Sequence, residues 1–244
     1  QVLSCKGMTT LLFSERPVLR AVFGMAGAAA QGEVSGDAVQ QFCSPTAAQM
    51  ILCDGMGTGS GAQSDAQEAI SVLQSLLTLG FDAMDAAAML NELYVLRGDG
   101  CFSTVDLLEM DLCTGEGALY KWGAAPSYLK KGGTVKKIGT ASPPPGLGVG
   151  EEHRAERVGL SLQRGEQLVL TTDGIPEAAC EQYLRACGPL SPRELAAGVV
   201  ACASESEPDD RTAVIVQLDP ASMQPHHTTR RARSMSKTGA EPHI

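Results

Sequence analysis

Asp54-Gly55-Met56-Gly57-Thr58-Gly59 follows directly on the apolar run Met50-Ile51-Leu52-Cys53. An acidic residue ending a buried strand, with a glycine turn behind it, places a carboxylate where it can meet a cation. Beyond the turn the period changes: Ala62, Ala66, Ala69/Ile70, Leu73 and Leu76/Leu77 recur at three and four, the spacing of an amphipathic helix. Gly80 stops that helix, and a second is expected from about Asp82 to Leu96. Two further carboxylate placements follow. Asp173-Gly174 ends Leu168-Val169-Leu170-Thr171-Thr172, and Asp209-Asp210 opens Thr212-Ala213-Val214-Ile215-Val216. Each is weak alone, because Asp-Gly is a common turn dipeptide. Their order makes the case: strand–DGMG–helix, strand–TDG–helix, then DDRT–strand.

Working outward, strands are expected at Val18 to Phe23 and Ala47 to Cys53, joined by a Gly/Ser/Ala-rich connection containing Ser35-Gly36-Asp37. Phe102 to Leu112 reads as extended and Cys113 to Gly117 as a hairpin turn, with strands near Ala118 to Trp122, Ser127 to Lys130 and Val135 to Ile138. Arg154 to Leu160 and Gln167 to Thr172 are expected to form a hairpin around Arg164-Gly165. Helices are expected at Pro176 to Ala186 and Ser191 to Ser204, the second opened by a Ser-Pro cap. Strands joined by hairpins, with helices in pairs, predict an α+β fold of mostly antiparallel sheets covered by helices. Residues 18–219 read as one domain, 1–17 as a linker and 220–244 as a basic, unstructured tail carrying Arg230, Arg231, Arg233 and Lys237.

The bulk numbers exclude several classes. The 244 residues are 43% hydrophobic and 19% charged, enough to bury a core. A net charge of −9 argues against a nucleic-acid partner. No apolar run nears the roughly 20 residues that span a bilayer. The eight cysteines lack any C-x-x-C pair, so reduced thiols are expected rather than disulfides or zinc. Gln1 at the start, without a signal pattern, reads as a piece of a longer protein.

Carboxylates without histidine or thiolate select hard cations, Mg²⁺ or Mn²⁺. Such an ion can activate water at neutral pH, and a second about 3.5–4 Å away can clamp phosphoryl oxygens. A rival reading takes Gly57-Thr58-Gly59-Ser60-Gly61-Ala62 as the dinucleotide fingerprint G-x-G-x-x-A. That requires a parallel strand soon after the first helix, ending in an acidic residue. A second helix stands there instead.

In order, these motifs resemble the metal-dependent Ser/Thr protein phosphatases of the protein phosphatase 2C superfamily, and within it the branch typified by the stage II sporulation protein E phosphatase. The matching segments are Val34-Ser35-Gly36-Asp37, the 54–59 turn, Phe102 to Leu107, Lys121-Trp122-Gly123-Ala124-Ala125-Pro126-Ser127, Thr172 to Ile175, and Asp209 to Thr212. The resemblance implies a two-sheet sandwich flanked by helix pairs, with a binuclear Mn²⁺ or Mg²⁺ centre. By motif match Asp54 bridges the metals, Gly55 ligates through its carbonyl, and Asp173 and Asp209 complete the site. Asp37 holds a metal-bound water, Asp99 matches a position that can serve a third ion, and Asp210 is an alternative to Asp209. Asp65 stands where the branch usually carries glutamate, and the proline run 143–145 is longer than usual.

The implied substrate is a phosphoserine on an anti-sigma-factor antagonist, in a cytoplasmic protein or the cytosolic C-terminal domain of a membrane protein; a homodimer stays open. The helix pair bearing Asp65 and Leu73 is expected to be regulatory, against the plainer reading of a helical cover. Two alternatives remain: a catalytically silent partner-binding module and a nucleotide-binding enzyme.

Overall fold

The computed structural model describes residues 2–5, 8–11, 16–98, 100, 102–139, 142–148, 150, 154–203 and 208–221. The expected tail falls almost wholly outside them. In the segment expected to be a linker, β1 (Val2–Cys5) and β2 (Met8–Leu11) pair as a short hairpin. The strands that follow are β3 (Leu19–Ala28), β4 (Asp37–Cys43), β5 (Ala47–Gly55), β6 (Ser103–Asp111), β7 (Glu116–Trp122), β8 (Ser127–Lys131), β9 (Thr134–Ile138), β10 (Glu156–Ser161), β11 (Glu166–Thr171) and β12 (Arg211–Pro220). Helices α1 (Gly59–Thr78) and α2 (Ala83–Arg97) lie between β5 and β6, and α3 (Glu177–Ala186) and α4 (Pro192–Ala201) between β11 and β12.

One sheet runs β10-β7-β6-β5-β4 and the other β3-β12-β11-β8-β9, with every neighbouring pair antiparallel. Period-two alternation sorts the side chains into layers. Met50, Leu52, Leu108, Met110 and Leu119 of the first sheet meet Leu168, Leu170, Val214 and Val216 of the second between the sheets. The alternate residues Ile51, Cys53, Val105 and Leu107 face outward onto Ala66, Leu73, Leu90 and Tyr94 of α1 and α2. On the far side, Val169, Ala213 and Ile215 cover Cys180, Leu184, Leu195 and Val199 of α3 and α4. The expected α+β sandwich between helix pairs is the observed architecture.

Local signals set the helix ends. Gly80 adopts φ +92° beyond α1, Asp82 accepts the Asp85 N–H at 2.8 Å to start α2, and Gly98 closes it at φ +62°. A full capping box of Ser191 and Glu194 starts α4.

Two expectations fail. Part of the connection before residue 47 is the strand β4, whose polar pattern Val39-Gln40-Gln41-Phe42 suits the half-exposed edge of a sheet. The expected hairpin of β10 and β11 does not form, because β10 pairs with β7 and β11 with β8 and β12. The alternating burial of β10 fits an edge, whereas β11 is buried on both faces and needs the middle of a covered sheet. A turn closed by Glu166 N–H to the Gln163 carbonyl, 3.0 Å, hands the chain from one sheet to the other.

Candidate metal centre

Each sheet delivers two carboxylates to one end of the sandwich. From the first come Asp54, at the end of β5, and Asp37, opening β4; the antiparallel register makes them direct cross-strand partners. From the second come Asp173, just after β11, and Asp209, just before β12. The electrostatics of Asp54 report their convergence. Burial first, then the negative charges of Asp37, Asp173 and Asp209, push its carboxyl from 3.8 up to about 9. Asp37 is pushed up to about 6, chiefly by burial, with hydrogen bonds from Thr212 and Thr172 pulling the other way. The Asp209 carboxyl is also raised, by burial first and by Asp173 and Asp210 in part.

Thr172 ties the two sheets together here. Its Oγ1 donates to Asp37 Oδ2 at 3.0 Å and accepts the Thr212 N–H at 2.9 Å, while its own N–H donates to the Thr212 carbonyl at 3.0 Å. Sequence reasoning did not single it out; the signal available was a hydroxyl residue directly before the Asp-Gly pair.

The glycines of both Asp-Gly pairs are there for space. A Cβ on Gly55 would lie 2.0 Å from the Ala62 carbonyl oxygen of α1, and one on Gly174 would lie 2.1 Å from the Asp210 carbonyl oxygen. The first turn of α1 therefore rests directly on the residue after Asp54.

Asp210 is committed elsewhere. It is 1% exposed, and its two oxygens accept the N–H groups of Ala30 (2.7 Å) and Gly36 (2.6 Å), pinning the β3–β4 loop. That use of both oxygens favours Asp209 over Asp210 as the group turned to the site. Asp65 pairs with Arg97 of α2, Oδ1 to Nη2 at 3.8 Å, beside a closer Glu68–Arg97 contact of 2.7 Å. Leu73 is fully buried under the first sheet. Asp99 lies outside the described residues.

The residues fit a hard divalent cation. The donors are all carboxylate or carbonyl oxygens. Asp37 Oδ1 is buried without a hydrogen-bond donor, so it calls for a proton on neighbouring Asp54 or for a cation. Among the described residues no three acidic, thiol or imidazole groups already stand at ligand spacing.

The fold defines a class, that of the protein phosphatase 2C-type domains. The family model described as "Stage II sporulation protein E (SpoIIE)" matches residues 44–219, and the chain belongs to that family. Stage II sporulation protein E of Bacillus subtilis (strain 168) is 29% identical over 229 residues, which are 87% of this chain and 27% of that protein. The chain thus spans about a quarter of its curated relative's length. The solved PP2C phosphatase domain of SpoIIE from Bacillus subtilis, with a fragment of its regulatory domain, superposes with a TM-score of 0.74 at 29% identity, covering 83% of this chain and 63% of that one. The catalytic domain of the serine/threonine protein phosphatase PstP, solved with two manganese ions, superposes with a TM-score of 0.63 over 82% of this chain and 99% of that one. At 15% identity that likeness is one of fold.

Proposed function

We propose that residues 18–219 form a metal-dependent phosphatase domain that hydrolyses phosphoserine on a regulatory protein, an anti-sigma-factor antagonist, in sporulation-type control of a sigma factor. The observation that carries this reading is the placement of Asp37 and Asp54 as cross-strand partners on one sheet and of Asp173 and Asp209 at strand ends of the other, all four close enough for the last two and Asp37 to act on the Asp54 carboxyl. Asp54, Asp173, Asp209 and the Gly55 carbonyl are the groups to hold two Mn²⁺ or Mg²⁺ ions, with Asp99 as a candidate for a third. When bound, such ions activate water and neutralise phosphoryl charge at neutral pH.

The chain's own residues supply the rest. Thr172 keeps Asp37 Oδ2 oriented, leaving Asp37 Oδ1 to hold a proton or accept from water near neutrality. The tie through Thr172 joins Asp37 of the first sheet to the end of β11 that carries Asp173. The test is hydrolysis of para-nitrophenyl phosphate with and without Mn²⁺. Activity should require the metal and fall at least about 100-fold in Asp173→Asn, some 2.7 kcal/mol of barrier. Turnover that survives chelator, or ignores Asp173→Asn, overturns the reading.

The same reading makes α1 regulatory, because the Ala62 carbonyl rests on Gly55 and any shift of the helix moves that residue. Asp65, paired with Arg97, would set the helix against α2. Since Leu73 is wholly buried, Leu73→Lys would test folding, and Leu73→Ala is the informative change. It should alter the Mn²⁺ concentration for half-maximal activity by severalfold; an unchanged Mn²⁺ titration in a folded variant leaves α1 as a cover only. Among the described residues no helix is long and apolar enough to cross a membrane. A cytoplasmic setting for this domain is part of the proposal.

A further inference from the structure

A cavity of about 500 Å³ opens beside Asp173. Its volume falls in the range of ligand clefts, roughly 300–1,000 Å³. Ala124, Ala125, Pro126 and Ile175 supply apolar wall, and Asp173 lines it at one side, so the cavity is continuous with the candidate metal centre. The walls are built rather than incidental. Thr171 Oγ1 donates to the Pro126 carbonyl at 3.3 Å, and the Gly123 N–H donates to Ser142 Oγ at 3.2 Å. Gly123, at φ +64°, lets Pro144 pack so close that a Cβ there would lie 2.6 Å from the Pro144 Cα.

Across the rim runs an ion pair, Lys137 Nζ to Glu177 Oε2 at 2.5 Å. Its side chains are 42% and 56% exposed, so it contributes little to stability and exchanges readily for a better partner. The two ends are not equivalent once it opens. Glu177 sits in the first turn of α3, where the helix N-terminus still favours its charge. Lys137 stands on β9 with no such compensation, and it is the sole cation among the described residues that line the cavity.

The geometry points to this cavity as the subsite for the stretch of phosphoprotein flanking the phosphoserine, with Lys137 selecting an acidic side chain near the phosphorylated residue. The inference rests on the phosphatase reading above and deepens it. A peptide carboxylate takes Glu177's place on Lys137 while an adjacent small aliphatic side chain meets the Ala124–Pro126 wall. No covalent step is involved, and the selection acts on binding of the flank.

Synthetic phosphoserine peptides test it, with Glu, Gln or Lys moved in turn through the three positions on either side of the phosphoserine. At one of these positions kcat/KM with Mn²⁺ should favour Glu over Lys by about tenfold, an ordinary ratio for replacing an attractive charge by a repulsive one. In Lys137→Glu that ratio should fall to one or invert; in Glu177→Gln, which releases the lysine, it should rise. Because each ratio is internal to one variant, a loss of stability common to all peptides cancels. If Lys137→Glu does not fold, the opposite-sign change in Glu177→Gln decides. A wild-type ratio near one at every position, or ratios the variants do not move, overturns the subsite and leaves the phosphatase reading standing. Absence of any Mn²⁺-dependent turnover overturns both.

Discussion

Replacing Asp54 with asparagine should stabilise the metal-free protein while abolishing the proposed hydrolysis. Burial and the charges of Asp37, Asp173 and Asp209 hold the Asp54 carboxyl up to about 9, against 3.8 for an ordinary aspartate. A carboxyl raised in this way favours the folded state fully below its unfolded pKa, and that advantage drains away as pH rises towards the folded value. At about 1.4 kcal/mol per pH unit the loss reaches roughly 4 kcal/mol by pH 7. Asp37 shares the same proton and water reaches part of the group, so about 2 kcal/mol is the expected net effect. Asparagine keeps the shape without the ionisation. For a domain of this size Tm should therefore rise by about 4–8 °C near pH 7. Thermal unfolding followed by circular dichroism in chelator, from pH 5 to 8, is the assay. Wild-type Tm should decline across that range, the variant's should decline less, and Mn²⁺ should raise the first far more than the second. Identical pH profiles for the two proteins in chelator would refute the claim that Asp54 carries a like-charge burden.

Two further outcomes follow from buried polar groups. Lys121 and Asp106 pair at 2.5 Å with 0% and 1% exposure, and Lys121 also donates to Ser127 Oγ at 2.9 Å. Lys121→Met should cost about 3–5 kcal/mol in urea unfolding by stranding Asp106, and adding Asp106→Leu should recover most of it; a double variant no better than the single would show that the charge was not the cause. Asp210→Asn should cost about 1–3 kcal/mol, because an amide nitrogen cannot accept the N–H of Ala30 or Gly36. Faster amide exchange at Gly36 checks this, and unaltered protection there would count against the loop-pinning role.

Legibility followed the strength of the local signal. Apolar runs of alternating or helical period placed β5, β6, β11, α1 and α2 to within a few residues, because each must bury a continuous face. β4 was illegible because an edge strand need bury little, and Gln40-Gln41 reads like loop. The β10–β11 hairpin misled because a tight turn at Gly165 has the same residues whether the chain returns to its own sheet or crosses to the other. Asp54, Asp173 and Asp209 were visible as strand-end residues in a familiar order and Asp37 only through the family resemblance, whereas the tie through Thr172 and the rim pair Lys137–Glu177 join residues far apart in the chain.

By itself the sequence determined which strands end in a carboxylate and which glycines follow, since periodicity and turn chemistry act between near neighbours. Only the tertiary structure decided that both oxygens of Asp210 hold the loop before β4. Only it decided that Gly55 lies beneath the first turn of α1. Burial, charge coupling and close approach depend on how the two sheets face each other, and that arrangement arises from the core between them.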